Sequence, residues 1–280
     1  MRILLTGATS QLGHAALPLL AAEGADVIAL SRRPTAAGTT HVEWRQGELP
    51  DAMPVLPVVD AILSFGPLDG LAEWLAKRVD APASVVVATS SMSAVSKRDS
   101  VVPEDRAVAE RLQRGEVSLQ RECERLGMRW TILRPTMIYG VGRDRNLTPI
   151  ARRAQHWRWF AYPRGTGLRQ PVHAEDVAGA AIAALHRDVA ASRIIELGGG
   201  ERLPAGEMFR RTGASLGCRV LTVPVSLRWM PFVVPIVPRL RGALSRLEQD
   251  LVADNTIATE LLGIHPRPFR PAAATWEASP

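Results

Sequence analysis

The chain has 280 residues, 46% of them apolar and 22% charged, with a mean hydropathy of +0.02. Such a composition supports a sizeable core and excludes the disordered and collagen-like classes. Basic residues outnumber acidic ones by 34 to 28, and all but Lys77 and Lys97 are arginines, so the basic character is almost wholly guanidinium, a bidentate anion binder.

The chain enters at once a predicted strand, Ile3 to Leu5, with no charged-then-apolar leader, and a cytoplasmic location is the expectation. Further strand-sized runs rich in Val, Ile and Leu are Val27 to Leu30, Val58 to Leu63, Val85 to Ala88, Trp130 to Leu133 and Ile194 to Leu197. Between them fall helix-period stretches, notably Gln11 to Glu23, Leu68 to Val79, Arg106 to Leu126 and Ala174 to His186. Alternation of this kind predicts an α/β fold with a doubly wound parallel sheet of Rossmann type. After about Asn146 it loosens, and prolines crowd from Pro204 to Pro238. Residues 1–145 are therefore read as a dinucleotide-binding domain, and 146–280 as a mixed region that completes the sheet and forms a smaller substrate lobe over the carboxyl ends of the strands. The most apolar stretch, Val220 to Pro238, is broken by Pro224, Arg228, Pro231 and Pro235, so no transmembrane span is expected, while peripheral contact with a membrane stays open. Cys123 and Cys218 form no CxxC pair, and neither a disulfide framework nor a metal site is expected.

The turn after the first strand reads Thr6-Gly7-Ala8-Thr9-Ser10-Gln11-Leu12-Gly13 and leads into the first helix. Gly7 permits a tight turn, Gly13 lets helix and sheet approach, and the free amides at the helix start suit a pyrophosphate. Ser10 stands where a middle glycine is usual, and its small hydroxyl can itself bond a phosphate oxygen. The second strand ends Ser31-Arg32-Arg33, with no carboxylate for a ribose 2′-hydroxyl. Two guanidiniums there suit a 2′-phosphate, so NADP is the expected cofactor and NAD the alternative.

With Gly47-Glu48-Leu49, Val59-Asp60-Ala61-Ile62, the run Leu133-Arg134-Pro135-Thr136-Met137-Ile138-Tyr139-Gly140 and Val172 to Ala178 following in order, the chain resembles the extended and atypical short-chain dehydrogenases/reductases, which include nucleotide-sugar epimerases and dehydratases. The likeness covers most of the chain. It implies that Glu48 sits near the adenine, that Ser64-Phe65-Gly66 passes over the cofactor, and that Thr89 lies beside the nicotinamide ribose. Active members of that superfamily use a tyrosine with a lysine four residues later. Counting back from Arg134 by way of Glu116, which resembles the family's glutamate after the lysine, puts those positions at Val108 and Leu112, and neither transfers a proton. The serine position survives as Ser91. Lys97, Arg98 and His173 are the other proton-handling groups weighed, and Ser91 and His173 are taken as the candidate catalytic residues.

From Gly140 to Gln170 there are seven arginines, at 143, 145, 152, 153, 158, 164 and 169, against one acid, Asp144. In the resembling enzymes this region faces the sugar nucleotide, so an anionic small-molecule substrate is expected. Trp157, Trp159, Phe160 and Tyr162 interleave with the arginines and suit either base stacking or core packing. No nucleic-acid-binding module accompanies them, and nucleic acid is not an expected partner. A homodimer is compatible with this reading. Two functions follow: an NAD(P)-dependent reductase, epimerase or dehydratase, or a protein that kept the fold and lost catalysis, serving as a sensor, regulator or assembly subunit.

Overall fold

The chain is seen in a computed structural model that describes residues 1–33, 41–226 and 247–278. Strand and helix alternate as β1 (Arg2–Thr6), α1 (Gln11–Ala22), β2 (Asp26–Ser31), β3 (Val42–Gln46), β4 (Ala61–Ser64), α2 (Leu68–Ala76), β5 (Val85–Thr89), α3 (Ser93–Ser96), α4 (Pro103–Arg125) and β6 (Arg129–Pro135). After β7 (Ile138–Tyr139), α5 (Leu147–Trp157), β8 (Trp159–Pro163), β9 (Leu168–Arg169) and β10 (Val172–His173), the chain returns through α6 (Ala174–Leu185) to β11 (Arg193–Leu197). Then come β12 (Leu203–Pro204), α7 (Ala205–Ala214), β13 (Leu221–Val225) and α8 (Thr256–Leu262).

Seven of these strands form one parallel sheet in the order β3-β2-β1-β4-β5-β6-β11, the doubly wound α/β arrangement expected from the alternation. Its two faces are legible in β1 alone, because successive side chains of a strand point opposite ways. Ile3 and Leu5 join the core covered by α1 and α6, and Leu4 joins the one covered by α2 and α4. Burial on both sides explains why the strands are continuous apolar runs.

Among the element boundaries that move, two have a visible local cause. The fourth strand starts at Ala61 rather than Val58, since Asp60 is already engaged, its carboxylate accepting from the amide of Arg2 at 2.7 Å. Helix α4 starts at Pro103, before Arg106, because proline at the first helical position carries its fixed φ into the helix and has no amide to leave unsatisfied.

A third, smaller core gathers Tyr139, Leu147, Phe160, Tyr162, Phe269 and Trp276 from the chain after β6. Phe160 and Tyr162 stack with centroids 5.6 Å apart, so those two aromatics pack as core. Arg228, Pro231, Pro235 and Pro238 lie outside the described residues, so the apolar stretch ending at Pro238 is described only as far as Ser226. Among the described residues no helix is long and apolar enough to cross a membrane.

Candidate active site

A cleft of about 1070 Å³ opens at the carboxyl ends of β1, β4, β5 and β6, roofed by the loop after β7 and by the chain around Leu251 and Val252. Thr9 to Leu12, Phe65, Gly66 and Thr89 all line it. The glycine-rich turn has the geometry of an anion cradle. Gly7 has φ +69°, and a Cβ there would lie 2.8 Å from the Phe65 carbonyl carbon; a Cβ on Gly13 would lie 2.3 Å from the Ala8 oxygen. Ser10 caps α1, its Oγ accepting from the Gly13 amide at 3.1 Å, which leaves the hydroxyl proton free to donate. The Ser10 amide bonds the Gly7 carbonyl and the His14 amide bonds the Ser10 carbonyl, while the amides of Gln11 and Leu12 have no such partner among the described residues. With no acid in the first turn of α1, this end is electropositive and fits a pyrophosphate.

Ser64 has a supporting place: its hydroxyl is buried and bonds the Thr6 hydroxyl at 2.8 Å, joining the ends of β1 and β4 under the turn. Ser31, Arg32, Arg33 and Glu48 gather at the ends of β2 and β3, outside the lining of the main cleft. The Ser31 hydroxyl accepts from the Arg33 amide at 3.3 Å, and Arg32 lies 3.7 Å from Glu48 with both side chains more than half exposed. So open an ion pair holds little energy and yields easily to a phosphate.

At the far end of the cleft Ser91 Oγ accepts from the Ser93 amide at 3.1 Å, which orients its own proton outward. Ser90 beside it points the other way and donates to Glu116. That glutamate is buried and pairs in bidentate fashion with Arg134, Nε to Oε1 at 2.9 Å, and the carboxylate holds the guanidinium above its ordinary pKa. Leu112 contributes an apolar patch to the wall, and Val108 is half-buried. Three residues before Val108 on the same helix, Asp105 holds Lys97 at 2.8 Å; both side chains are largely buried, and Lys97 lines the cleft. Arg98 instead pairs with its neighbour Asp99 at the exposed surface.

His173 is placed apart from these groups. It lies outside the cleft lining, its Nδ1 caps α6 by accepting from the Glu175 amide at 3.3 Å, and its ring meets the edge of Tyr139 with centroids 5.1 Å apart. Burial, with the Arg267 charge, holds the imidazole below its ordinary pKa. Tyr139 is buried between His173 and Phe269, and burial pushes its phenol up to about 12.

Of the seven arginines, four line the cleft: Arg143, Arg145, Arg152 and Arg169. Arg152 spends its guanidinium on the carbonyls of Trp276 and Gly142, and Arg169 bonds those of Leu168 and Gln249. Arg145 is exposed, and Arg143 lies close enough to His14 on α1 to help burial lower that imidazole's pKa. Asp144 has a structural place. Its buried carboxylate accepts from the amides of Asn146, Leu147 and Thr148 and starts α5. The contributions of Arg111, Leu251 and Val252 to the lining were missed from sequence, since no local motif marks them.

Residues 71–198 match the family model described as the NAD dependent epimerase/dehydratase family. No curated protein matches the chain. Among solved structures, MoeE5 in complex with UDP-glucose and NAD is similar over 99% of this chain and 97% of its own, at 21% identity and a TM-score of 0.73. The UDP-glucuronic acid 4-epimerase from Bacillus cereus, in complex with NAD, covers 100% and 97% at 15% identity and 0.71. Epimerase Mth375 from Methanothermobacter thermautotrophicus covers 98% and 90% at 17% identity and 0.73. At these identities the likeness is one of fold. The matched segment runs from α2 to just past β11, a little under half of the chain, and takes in both the Ser91 strand end and the Glu116–Arg134 pair.

Proposed function

We propose that the protein is an NADP-dependent enzyme of epimerase, dehydratase or reductase type that acts on an anionic, nucleotide-linked substrate. The observation that carries this reading is a single cleft lined together by the open end of α1, Ser91 and Lys97. The cofactor, when bound, exchanges a hydride with a substrate carbon. Ser91 bonds the oxygen on that carbon, and Lys97 exchanges a proton with it, standing in for the tyrosine that Val108 replaces. Asp105 holds the ammonium in place and remains its counter-ion. Arg143 and Arg145 face the substrate's phosphates, as the UDP-sugars in the similar structures would require. Arg32 and Arg33 select the 2′-phosphate.

The test is a titration with NADPH, read by nicotinamide fluorescence and by protection from thermal unfolding, followed by turnover with nucleotide sugars. Binding in both readouts is expected, and its absence overturns the cofactor assignment. Lys97→Met should leave NADPH affinity unchanged and lower turnover by about 100-fold, the lower end of what a positioned proton donor contributes.

The apolar Leu112 in the cleft wall favours a second reading, a dinucleotide-binding protein without catalysis. NADPH binding with no turnover on any nucleotide sugar would select it. Turnover that depends on Ser91 would discard it.

A further inference from the structure

We propose that the two-stranded ribbon of β8 and β13 docks the protein on an anionic lipid surface. The ribbon breaks the usual rule for an exposed sheet face. Its parallel register pairs Trp159 with Leu221, Ala161 with Val223 and Pro163 with Val225, and directly paired residues point to the same side. The opposite side carries Phe160 and Tyr162 of β8, which are buried, with Gly213 of α7 packed against Phe160 and Thr222, while Thr222 and Pro224 of β13 are exposed. The outward face thus consists of six apolar residues, and Leu221 is 66% exposed, Trp159 47% and Val223 36%. Trp157, at the end of α5 and 60% exposed, adjoins it.

Charge specifies the occupant. Arg158 separates the two tryptophans, Arg164 follows β8, Arg219 precedes β13, and Arg153 holds its guanidinium 5.7 Å from the Trp157 ring centroid. Among the described residues none of these four arginines makes an ion pair, and no acid occurs between Arg145 and Ala174 or between Met208 and Ser226. An apolar patch with a wholly basic rim supplies the two signals that reversible membrane attachment needs: insertion at the headgroup level, where tryptophan is favoured, and attraction to anionic headgroups. A second copy of the chain is a poor occupant, because a two-fold contact would set arginine against arginine. Nucleic acid would leave Leu221, Val223 and Val225 without partners, as they cannot stack on bases.

The test is co-sedimentation of the full chain with vesicles of phosphatidylcholine alone and of phosphatidylcholine mixed with phosphatidylglycerol. At least about tenfold stronger binding to the anionic vesicles is expected, weakening as salt rises. Trp159→Ser with Leu221→Ser should lower that binding about tenfold, and Arg153→Ser with Arg158→Ser should erase the preference for phosphatidylglycerol. An unchanged thermal transition shows that each variant is folded, so a loss of binding is then a loss of the surface. Any of the following overturns the proposal: no sedimentation with either vesicle, equal binding to both, or serine variants that bind as the parent does. So does doubling of mass in solution that the same substitutions abolish, or preferential binding to single-stranded RNA through the same residues.

Discussion

The cofactor end of the site turns on side chains at the end of β2. An NAD site places a carboxylate there to accept from the ribose hydroxyl, whereas Arg32 and Arg33 present two cations, Arg32 with Glu48 at 3.7 Å in the open. Arg32→Asp with Arg33→Ala is therefore predicted to weaken NADPH binding by at least about tenfold more than NADH binding, since a lost phosphate pair and a new repulsion act on one cofactor only. Parallel fluorescence titrations decide it, and equal losses would remove the 2′-phosphate assignment. The backbone shape of the glycine-rich turn was legible because glycines beside a strand report on local conformation within a few residues of themselves, and the arginines at the end of β2 report charge. The pairing of Lys97 with Asp105 was not. Lys97 and Asp105 are ordinary charged residues in sequence, and only the packing of α3 on α4 turns the pair into a cleft wall. His173 shows the converse: a candidate by type, its imidazole is used as a helix cap and packed against Tyr139.

Among the elements, α4 does the most to hold the site together. Glu116 reaches from its buried face to Ser90 after β5 and Arg134 on β6, so one carboxylate ties the helix to two strand ends. Breaking one half of such a pair strands a buried charge. Arg134→Met is predicted to cost about 3–5 kcal/mol of stability, while Arg134→Met with Glu116→Leu should recover most of it. Urea unfolding of both variants measures this, and additive losses would contradict it. The elements of the main sheet were legible because strands buried on both faces are apolar throughout and the helices between them keep their period. Those after Asn146 were less so. In α5 arginines share the helix with the apolar stripe, and β8 and β13 are five-residue strands that each contain a proline, with an apolar side turned outward where alternation predicts a polar one.

At the scale of the molecule, two imidazoles carry a cost that depends on pH. Burial lowers the pKa of His14, helped by the Arg143 charge, and lowers that of His173, helped by Arg267, against an ordinary value near 6.5. A His depressed in the folded state is protonated more readily in the unfolded chain. Stability is then whole above about pH 6.5 and falls as the pH drops toward the folded-state values. Thermal transitions measured from pH 7.5 down to 5.5 should show this decline, and His14→Gln with His173→Asn should flatten it, asparagine keeping the cap on α6. An unchanged slope in the double variant would show that other groups carry the effect.

The roof of the cleft comes from the far end of the chain. Gln170 donates to the Gly199 carbonyl and accepts from the Ala253 amide, Leu251 and Val252 line the opening, and Thr275 and Trp276 lend carbonyls to Gly142 and Arg152. During synthesis from the amino terminus, the sheet and the glycine-rich turn are complete once β11 has been made, but the part of the roof around Leu251 and Val252 has yet to be translated. On the proposed function, a nascent chain can hold its dinucleotide before the cleft is fully roofed, so that cofactor capture can accompany folding while substrate binding waits for the segment around Leu251 to dock.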